Sequence, residues 1–525
     1  MFSTRDWRQA MACLLLGAVL LAGGSGCRTM AGPERPPAQA PQPLPEKTAA
    51  IAGISITVGG GTVRDGIMHL ASFALEDGII GYAPTVVSPD GRWVAFQGTQ
   101  DGRTQGLWVM ALDGSTGRLL ARVEEKEHAA GTLLLHFLGW TPDNRVVLAR
   151  QGTQPDGAHQ GQRGVSLRVA APDEGEAREV AWLPVSAGIV HQIEYLPARG
   201  SVFVHVTGAL WQLDIASGRK RLLKDNLPSY DGLFYPRLSP TGDYYAYELW
   251  EPDKRGIYIL RTSNGRERAL PPKGATWNFY PQFSPNGSHL AYYVAPLQPG
   301  RSGRYAGDYD IIPVEDGPAP VAAQVAIATP DGQKVAELTV PGAKLANFRW
   351  AADGRHLAFA AGKVKNEQGA GELPVVAWQS IWVADLGGKL TKVADLPANE
   401  GTIYDLHIEV VHISPDGKQV YYLLSRQGKF SLWLAREGRQ PVEVASGTSR
   451  QAAPWAIAGA DLFLIRDVDG GEEVFRVRGT QATQITSDGG SKSFLRVEGK
   501  RLVYTREDWS GGGSESRLVV LDCAP

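Results

Sequence analysis

One short pattern, written again and again along the chain, limits what it can fold into: an apolar strand, a tight Ser-Pro-Asp-Gly turn, a second apolar strand and then a third. Its first copy runs from Tyr82 to Phe96, with Val86-Val87 entering Ser88-Pro89-Asp90-Gly91 and Trp93-Val94-Ala95-Phe96 leaving it, and Leu107-Trp108-Val109-Met110-Ala111-Leu112-Asp113 following. Proline presets φ, and Asp-Gly closes a turn that needs positive φ. The flanking residues are β-branched or aromatic, as strands prefer. A single unit of this kind cannot bury its apolar faces, so the copies must pack on one another.

The copies differ in wear. Trp140-Thr141-Pro142-Asp143-Asn144 is degenerate, and Arg199-Gly200 keeps only the glycine. Tyr235-Pro236-Arg237-Leu238-Ser239-Pro240-Thr241-Gly242 and Tyr280-Pro281-Gln282-Phe283-Ser284-Pro285-Asn286-Gly287 are close matches. Phe348-Arg349-Trp350-Ala351-Ala352-Asp353-Gly354 and Ile413-Ser414-Pro415-Asp416-Gly417 continue the series, and worn copies follow at Ala458-Gly459 and Glu498-Gly499. Spacings of about 40 to about 65 residues suit four short strands and variable loops, and no helical period intervenes. The expectation is an all-β chain, a single β-propeller of four-stranded antiparallel blades. Nine partial signals with weak end copies that share a blade give eight blades, with seven as the next choice. The final unit shows three strands, so Ile54–Val58 or the Met68 segment is expected to complete it, which removes an exposed sheet edge.

The pattern Tyr-x-Pro-x-Phe-Ser-Pro-Asp/Asn-Gly, with a later Leu/Ile-Trp/Tyr-Val-x-Asp, resembles the WD40-like (PD40) repeat of TolB-type propellers over most of residues 82–521. The resemblance implies a six- to eight-bladed ring, often periplasmic, used for protein or ligand contact. The amino-terminal α/β domain of TolB itself has no counterpart, so its role does not transfer. Leu464-Ile465-Arg466-Asp467-Val468-Asp469-Gly470-Gly471-Glu472-Glu473-Val474-Phe475 resembles a blade of the prolyl-oligopeptidase and dipeptidyl-peptidase group. There the propeller precedes an α/β-hydrolase domain; about 50 residues after Phe475 are too few for one, and no G-x-S-x-G elbow with room for its strand and helix appears.

The first residues read as an export signal. Arg5 and Arg8 precede the apolar run Met11–Ala22, which is short for a membrane span, and Gly23-Gly24-Ser25-Gly26 lead to Cys27. Small residues before a cysteine resemble the lipobox of bacterial lipoproteins, which implies lipidation at Cys27; Gly24 stands where that pattern usually has leucine. Of the other cysteines, Cys13 lies in the signal and Cys523 near the end, so the chain is no disulfide scaffold. Were Cys27 free, it would be available to pair with Cys523. The division expected is 1–26 signal peptide, 27–50 lipidated cysteine and Pro-rich tether, and 51–525 propeller. The tether carries Pro33, Pro36, Pro37, Pro41, Pro43 and Pro45 and favours extended polyproline II.

A formal charge of −2 with no long Lys/Arg cluster gives no electrostatic case for nucleic acid. Asp467-Val468-Asp469-Gly470 with Glu472 and Glu473 lacks the ligand spacing of a calcium loop and reads as an acidic hairpin. His407 and His412 fall on opposite faces of a strand, and His191 and His205 stand isolated. No metal site, cofactor or catalytic set is expected. Trp108, Trp211, Trp382 and Trp433 recur at one place in the repeat and read as packing between blades, whereas Trp277, Trp378 and Trp455 fall outside it and read as surface candidates. Long insertions at 151–164, 297–320 and 362–379 share one connection type, from second to third strand, and loops on a rigid scaffold are where recognition is usually built. The resulting expectation is a non-enzymatic, membrane-anchored binding scaffold of the cell envelope, monomeric, tethered by Cys27 and holding a protein, peptide or polymer. The alternatives are a hydrolase or lyase with a site in the propeller funnel, or an accessory subunit of a peptidase.

Overall fold

The computed structural model describes residues 46–523 other than 60–64, 77, 82–85, 101–103, 125–132, 186–188, 228–232, 250–255, 271–275, 297–320, 323, 366–374, 403–405, 427–428, 449–453, 469–470 and 511–512. Cys27, the signal, most of the tether and the insertion 297–320 lie outside these residues.

The described strands form an all-β propeller of nine four-stranded antiparallel blades, where eight or seven were expected. Blade 1 spans 78–123, blade 2 133–184, blade 3 190–225, blade 4 233–270, blade 5 276–338, blade 6 344–395, blade 7 406–448 and blade 8 455–484. Blade 9 takes three strands from 491–522 and its outermost strand, Met68–Leu75, from the other end of the chain, with Met68 opposite Asp522. Ile54–Val58 and Lys47–Ile51 continue that sheet outward. The count rose because a worn turn still closes a hairpin. The geometry asks for positive φ, and Gly200 (57°), Gly459 (59°) and Gly499 (61°) supply it without Ser-Pro-Asp.

Where the full turn survives, its chemistry is visible. The Gly91 N–H donates to the Ser88 carbonyl (2.9 Å), the Ser88 hydroxyl donates to Asp90 (2.5 Å), and it accepts from the Trp93 N–H that starts the next strand (2.9 Å). Ser414, Asp416 and Gly417 repeat these bonds, as do Ser284, Asn286 and Gly287. Ser and Asp therefore satisfy the amides that the reversal leaves over, a local use of short polar side chains.

Two compact units divide the described residues, one within 233–448 with 478–482, the other within 46–227, 454–477 and 483–523. In each, neighbouring blades bury alternate residues of their second and third strands. In the first, Ala246, Ile257 and Ile259 of blade 4 meet Phe283, Leu290 and Tyr292 of blade 5. In the second, Val147, Val165 and Leu167 of blade 2 meet Val202, Val204 and Leu213 of blade 3. Cross-strand aromatic pairs set the third strand on the second: Phe96 faces Trp108, Tyr247 faces Tyr258 and Tyr422 faces Trp433, all with stacked rings. Such pairs add to the gain from area alone. The recurrent tryptophans are packing, as read.

Innermost strands carry a β-bulge at a repeated place, marked by register shifts after Phe279, Ala346 and Ser493. Non-glycine residues there sit at positive φ: Tyr280 at 56°, Asn347 at 54° and Phe494 at 54°. A bulge leaves amides without ladder partners, and what meets them organises the polar interior.

Candidate functional site

Three of those amides are met from one repeat position, the fifth residue of the second strand, which is Gln97, Arg150, His205 and Glu248 in blades 1 to 4. Blade 5, whose strand starts one residue later, has Tyr293 there. The Gln97 carboxamide accepts from the Phe137 N–H (3.1 Å) and donates to the Leu135 carbonyl (2.8 Å) of blade 2. Glu248 accepts the Tyr280 N–H of blade 5, and the Tyr293 hydroxyl accepts the Phe348 N–H of blade 6 (3.3 Å). Blades 6 to 8 have Ala360, Leu423 and Ile465 at this position. There the Asn347 carboxamide donates to the Ile408 carbonyl, and Arg349 to the Val411 carbonyl (3.0 Å). In the second unit Glu498 of blade 9 accepts from Val86 (3.0 Å) and Val87 (2.6 Å) of blade 1. None of these side chains stands out in a motif search; only superposing the repeats shows that the strand alternation is interrupted at one column.

In blade 2 the same column leads into the inserted hairpin 151–164, which joins second strand to third as expected. Arg150, buried, donates to Asp156 at 3.1 Å, and Arg168 lies 3.8 Å from the same carboxylate. The His159 ring stacks on Trp182 (4.4 Å between centroids, 10° apart) with its Nε2 3.2 Å from Glu179, which also accepts the Ser166 hydroxyl (2.5 Å). The hairpin ladder continues beyond the strands, Gln154 N–H to the Gln162 carbonyl (3.0 Å) and Gly161 N–H to the Gln154 carbonyl (2.9 Å). Gly157 (φ 77°) and Gly161 (φ 75°) permit the tight tip. The tip residues 156–158 and 160–163 are exposed, on a base held by charge, stacking and backbone bonds. The described residues of the insertion at 362–379 lengthen the hairpin, with Lys365 opposite Val375, and 366–374 lie outside them.

A charged interior cluster lies in blades 8 and 9. The Lys492 ammonium, fully buried, contacts Glu473 (3.3 Å), Asp488 (3.0 Å) and the carbonyls of Gly489 (2.5 Å) and Glu472. Glu473 also accepts the Gly489 N–H (2.8 Å), and Tyr504 donates to Asp488 (3.1 Å), its phenol held well above its usual pKa by burial and that carboxylate. An ammonium with three donors and four such neighbours is saturated, so it is a brace rather than a nucleophile.

Other flagged residues fall as follows. Trp277 is 0% exposed and Trp378 5%, so neither is a surface site; Trp277 packs in the apolar cluster shared by blades 5 and 6, and Trp378 in that shared by blades 6 and 7. Trp455 is half-buried. The acidic segment is a hairpin between Asp461–Val468 and Gly471–Arg478, with Asp467 opposite Glu472; burial and then Glu472 hold the Asp467 carboxyl above its usual range. Asp469 and Gly470 lie outside the described residues. His191 and His205 are not isolated: a shift in register between Val190 and Gln192 brings their rings to 4.9 Å. Burial, then His191, pushes His205 down to about 3. The half-buried His412 is lowered chiefly by desolvation, then by Arg349. Cys523 is a free, half-buried thiol pushed up to about 12 by burial, then by Asp522. Among the described residues no group of three His, Cys, Asp or Glu is placed to hold a metal ion.

The strand order thus defines a β-propeller. Solved structures similar to it include an oligogalacturonate lyase from Vibrio parahaemolyticus (11% identity, TM-score 0.35, 75% of this chain and 98% of that one). A TolB-like protein from Agrobacterium tumefaciens matches at 16% identity and TM-score 0.26, over 62% of this chain and 97% of that one. A dipeptidyl peptidase 4 from Porphyromonas gingivalis matches at 10% identity and TM-score 0.40, over 82% of this chain but just 56% of its own. These likenesses bear on the fold alone. No family model matches the chain, and no curated protein matches it.

Proposed function

We propose that this propeller is a non-enzymatic binding scaffold whose recognition surface is built from hairpins joining second to third strands. The observation that carries this is the 151–164 hairpin. A loop braced by Arg150–Asp156, His159–Trp182 and His159–Glu179 has already lost much of the freedom that binding would otherwise take from it. The reading draws further support from Lys492, whose buried ammonium is spent on the carboxylates of Glu473 and Asp488 and the carbonyls of Gly489 and Glu472. The partner is a protein, peptide or polymer of the cell envelope. The chain is a monomer held at the membrane by a lipid on Cys27, the Pro-rich segment ahead of the Lys47–Ile51 strand acting as its tether.

The test replaces Gln154–Gln162 with Asn-Gly, a two-residue hairpin loop. Wild-type and trimmed proteins serve as baits on detergent-solubilised envelopes, with bound material identified by mass spectrometry. The trimmed protein should keep its circular dichroism and thermal transition and lose the specific partner. Equal retention of every bound species by a folded, trimmed protein would sink the proposal. The anchor is tested separately: Cys27→Ala should release the protein from the membrane fraction, and continued membrane association of that variant would refute the lipid.

A further inference from the structure

The flank of blade 4 carries a second binding feature, independent of the hairpin reading. An open groove of about 400 Å³ lies between the outer strands of blade 4 and the Pro330-Asp331 turn of blade 5. The apolar packing of Ile257, Ile259 and Leu270 gives way there to three arginines, Arg261, Arg266 and Arg268. Arg261 lies directly opposite Arg266 and Ile259 opposite Arg268, so like charges face each other across the ladder, an arrangement that costs stability unless anions answer it.

Only Arg261 is answered. It donates to Asp331 at 2.6 Å and lies 5.4 Å from the Tyr244 ring, and Asp243 adds a weaker pull from outside the groove. Arg266 and Arg268 are exposed and, among the described residues, their guanidinium groups have no carboxylate partner. Glu267 between them turns to the opposite face, where it accepts the Tyr247 hydroxyl. The Arg261–Asp331 pair shows that a carboxylate enters this groove, while two further guanidinium forks stand open to it.

Spacing names the ligand. Arg266 and Arg268 are two residues apart on Arg266–Leu270, the outermost strand of blade 4, so their Cα atoms are about 6.7 Å apart, the distance between alternate side chains of any extended chain. The strand's outer edge offers backbone donors and acceptors for one more strand. We propose that this groove binds an extended acidic peptide, with carboxylates at alternating positions on the two arginines and its backbone along the blade edge.

Fluorescein-labelled peptides test this with the full chain: alternating Glu-Thr, the same composition with the glutamates contiguous, and alternating Gln-Thr. The alternating Glu-Thr peptide should bind at least about tenfold more tightly than either control, about 1.4 kcal/mol. Arg266→Gln/Arg268→Gln should lose that preference with an unchanged dichroism spectrum, and Asp331→Asn, which frees Arg261, should tighten binding. Equal binding of alternating and contiguous glutamates overturns the proposal, as does an unaffected double variant or weaker binding by Asp331→Asn. Displacement of the peptide by a soluble polyuronate or inorganic phosphate at equal charge overturns it too, since the groove would then be a general anion patch.

Discussion

Glu498 offers the sharpest test of how the blades are held together. It lies on the innermost strand of blade 9 and accepts amides of blade 1 more than 400 positions away, Val86 (3.0 and 3.1 Å) and Val87 (2.6 Å), with Arg496 at 3.3 Å. Val86 and Val87 are buried, so Glu498→Ala leaves two N–H groups without an acceptor in a space water does not reach. At about 1–3 kcal/mol for each of the two orphaned groups the sum is about 2–6 kcal/mol, and the local cost is placed at about 3–5 kcal/mol, as for breaking a buried ion pair. Because two compact units need not unfold together, a global midpoint is a blunt probe; amide exchange at Val86 and Val87, read by mass spectrometry, reports the latch itself. Exchange there should accelerate between about a hundredfold and several thousandfold. The truncation cost arises from what is orphaned, not from a favourable buried charge. Burial holds the Glu498 carboxyl above its ordinary 4.5, with Arg496 and the Val87 and Val86 amides opposing the shift less strongly. A group raised on folding contributes its stability below the unfolded pKa and loses it as pH rises through the folded value. The penalty of Glu498→Gln, which cannot titrate, should therefore shrink as pH rises from 4.5. Acceleration of less than tenfold in the alanine variant, or a glutamine penalty that grows with pH, would refute the reasoning.

Two other buried groups give independent tests. His205, pushed down to about 3, folds as the neutral ring; its stability is present above the unfolded value of 6.5 and is lost as pH falls below it. One proton is worth about 1.4 kcal/mol per pH unit, so His205→Gln should spare about 2 kcal/mol of the loss between pH 6.5 and 5, measured by urea titration at each pH; an unchanged profile would contradict the assignment. Tyr293→Phe keeps the ring packed and removes the 3.3 Å acceptor of the Phe348 amide at the blade 6 bulge. A local cost of about 1–2 kcal/mol, seen as faster exchange at Phe348, is expected, and no change there would mean that the bulge amide is satisfied elsewhere.

The architecture was legible because it is written in turns. Ser-Pro-Asp-Gly must reverse the chain wherever it stands, and the aromatic residues recurring behind it give the cross-strand pairs such as Phe96 with Trp108. The acidic run at Asp467 and the closing strand at Met68 were also readable, since a like-charged short segment suits a hairpin and three strands call for a fourth. Blade number was misjudged for a physical reason. Wear in the sequence is not loss of structure: Gly459 at φ 59° closes its hairpin as well as Gly91 at 70°. The turn depends on one backbone angle; serine and aspartate refine it.

The polar interior was hidden for the opposite reason: it has no residue type of its own. Gln97, Glu248 and Tyr293 occupy one column and meet strained inner-strand amides of the following blade, but they share neither charge nor shape. What these three amides need is an acceptor of suitable reach, and a carboxamide, a carboxylate and a phenol all supply it. Where Ala360 gives none, the inner strand of the same blade supplies donors instead, through Asn347 and Arg349 to the carbonyls of Ile408 and Val411. In blade 2 the column holds Arg150, a donor, which turns from the neighbouring blade to Asp156 in its own inserted hairpin. Removing Asp156 would thus both release the loop and strand a buried guanidinium. In blade 2 this column therefore holds a loop of its own blade, where in blades 1, 4 and 5 it holds an amide of the next.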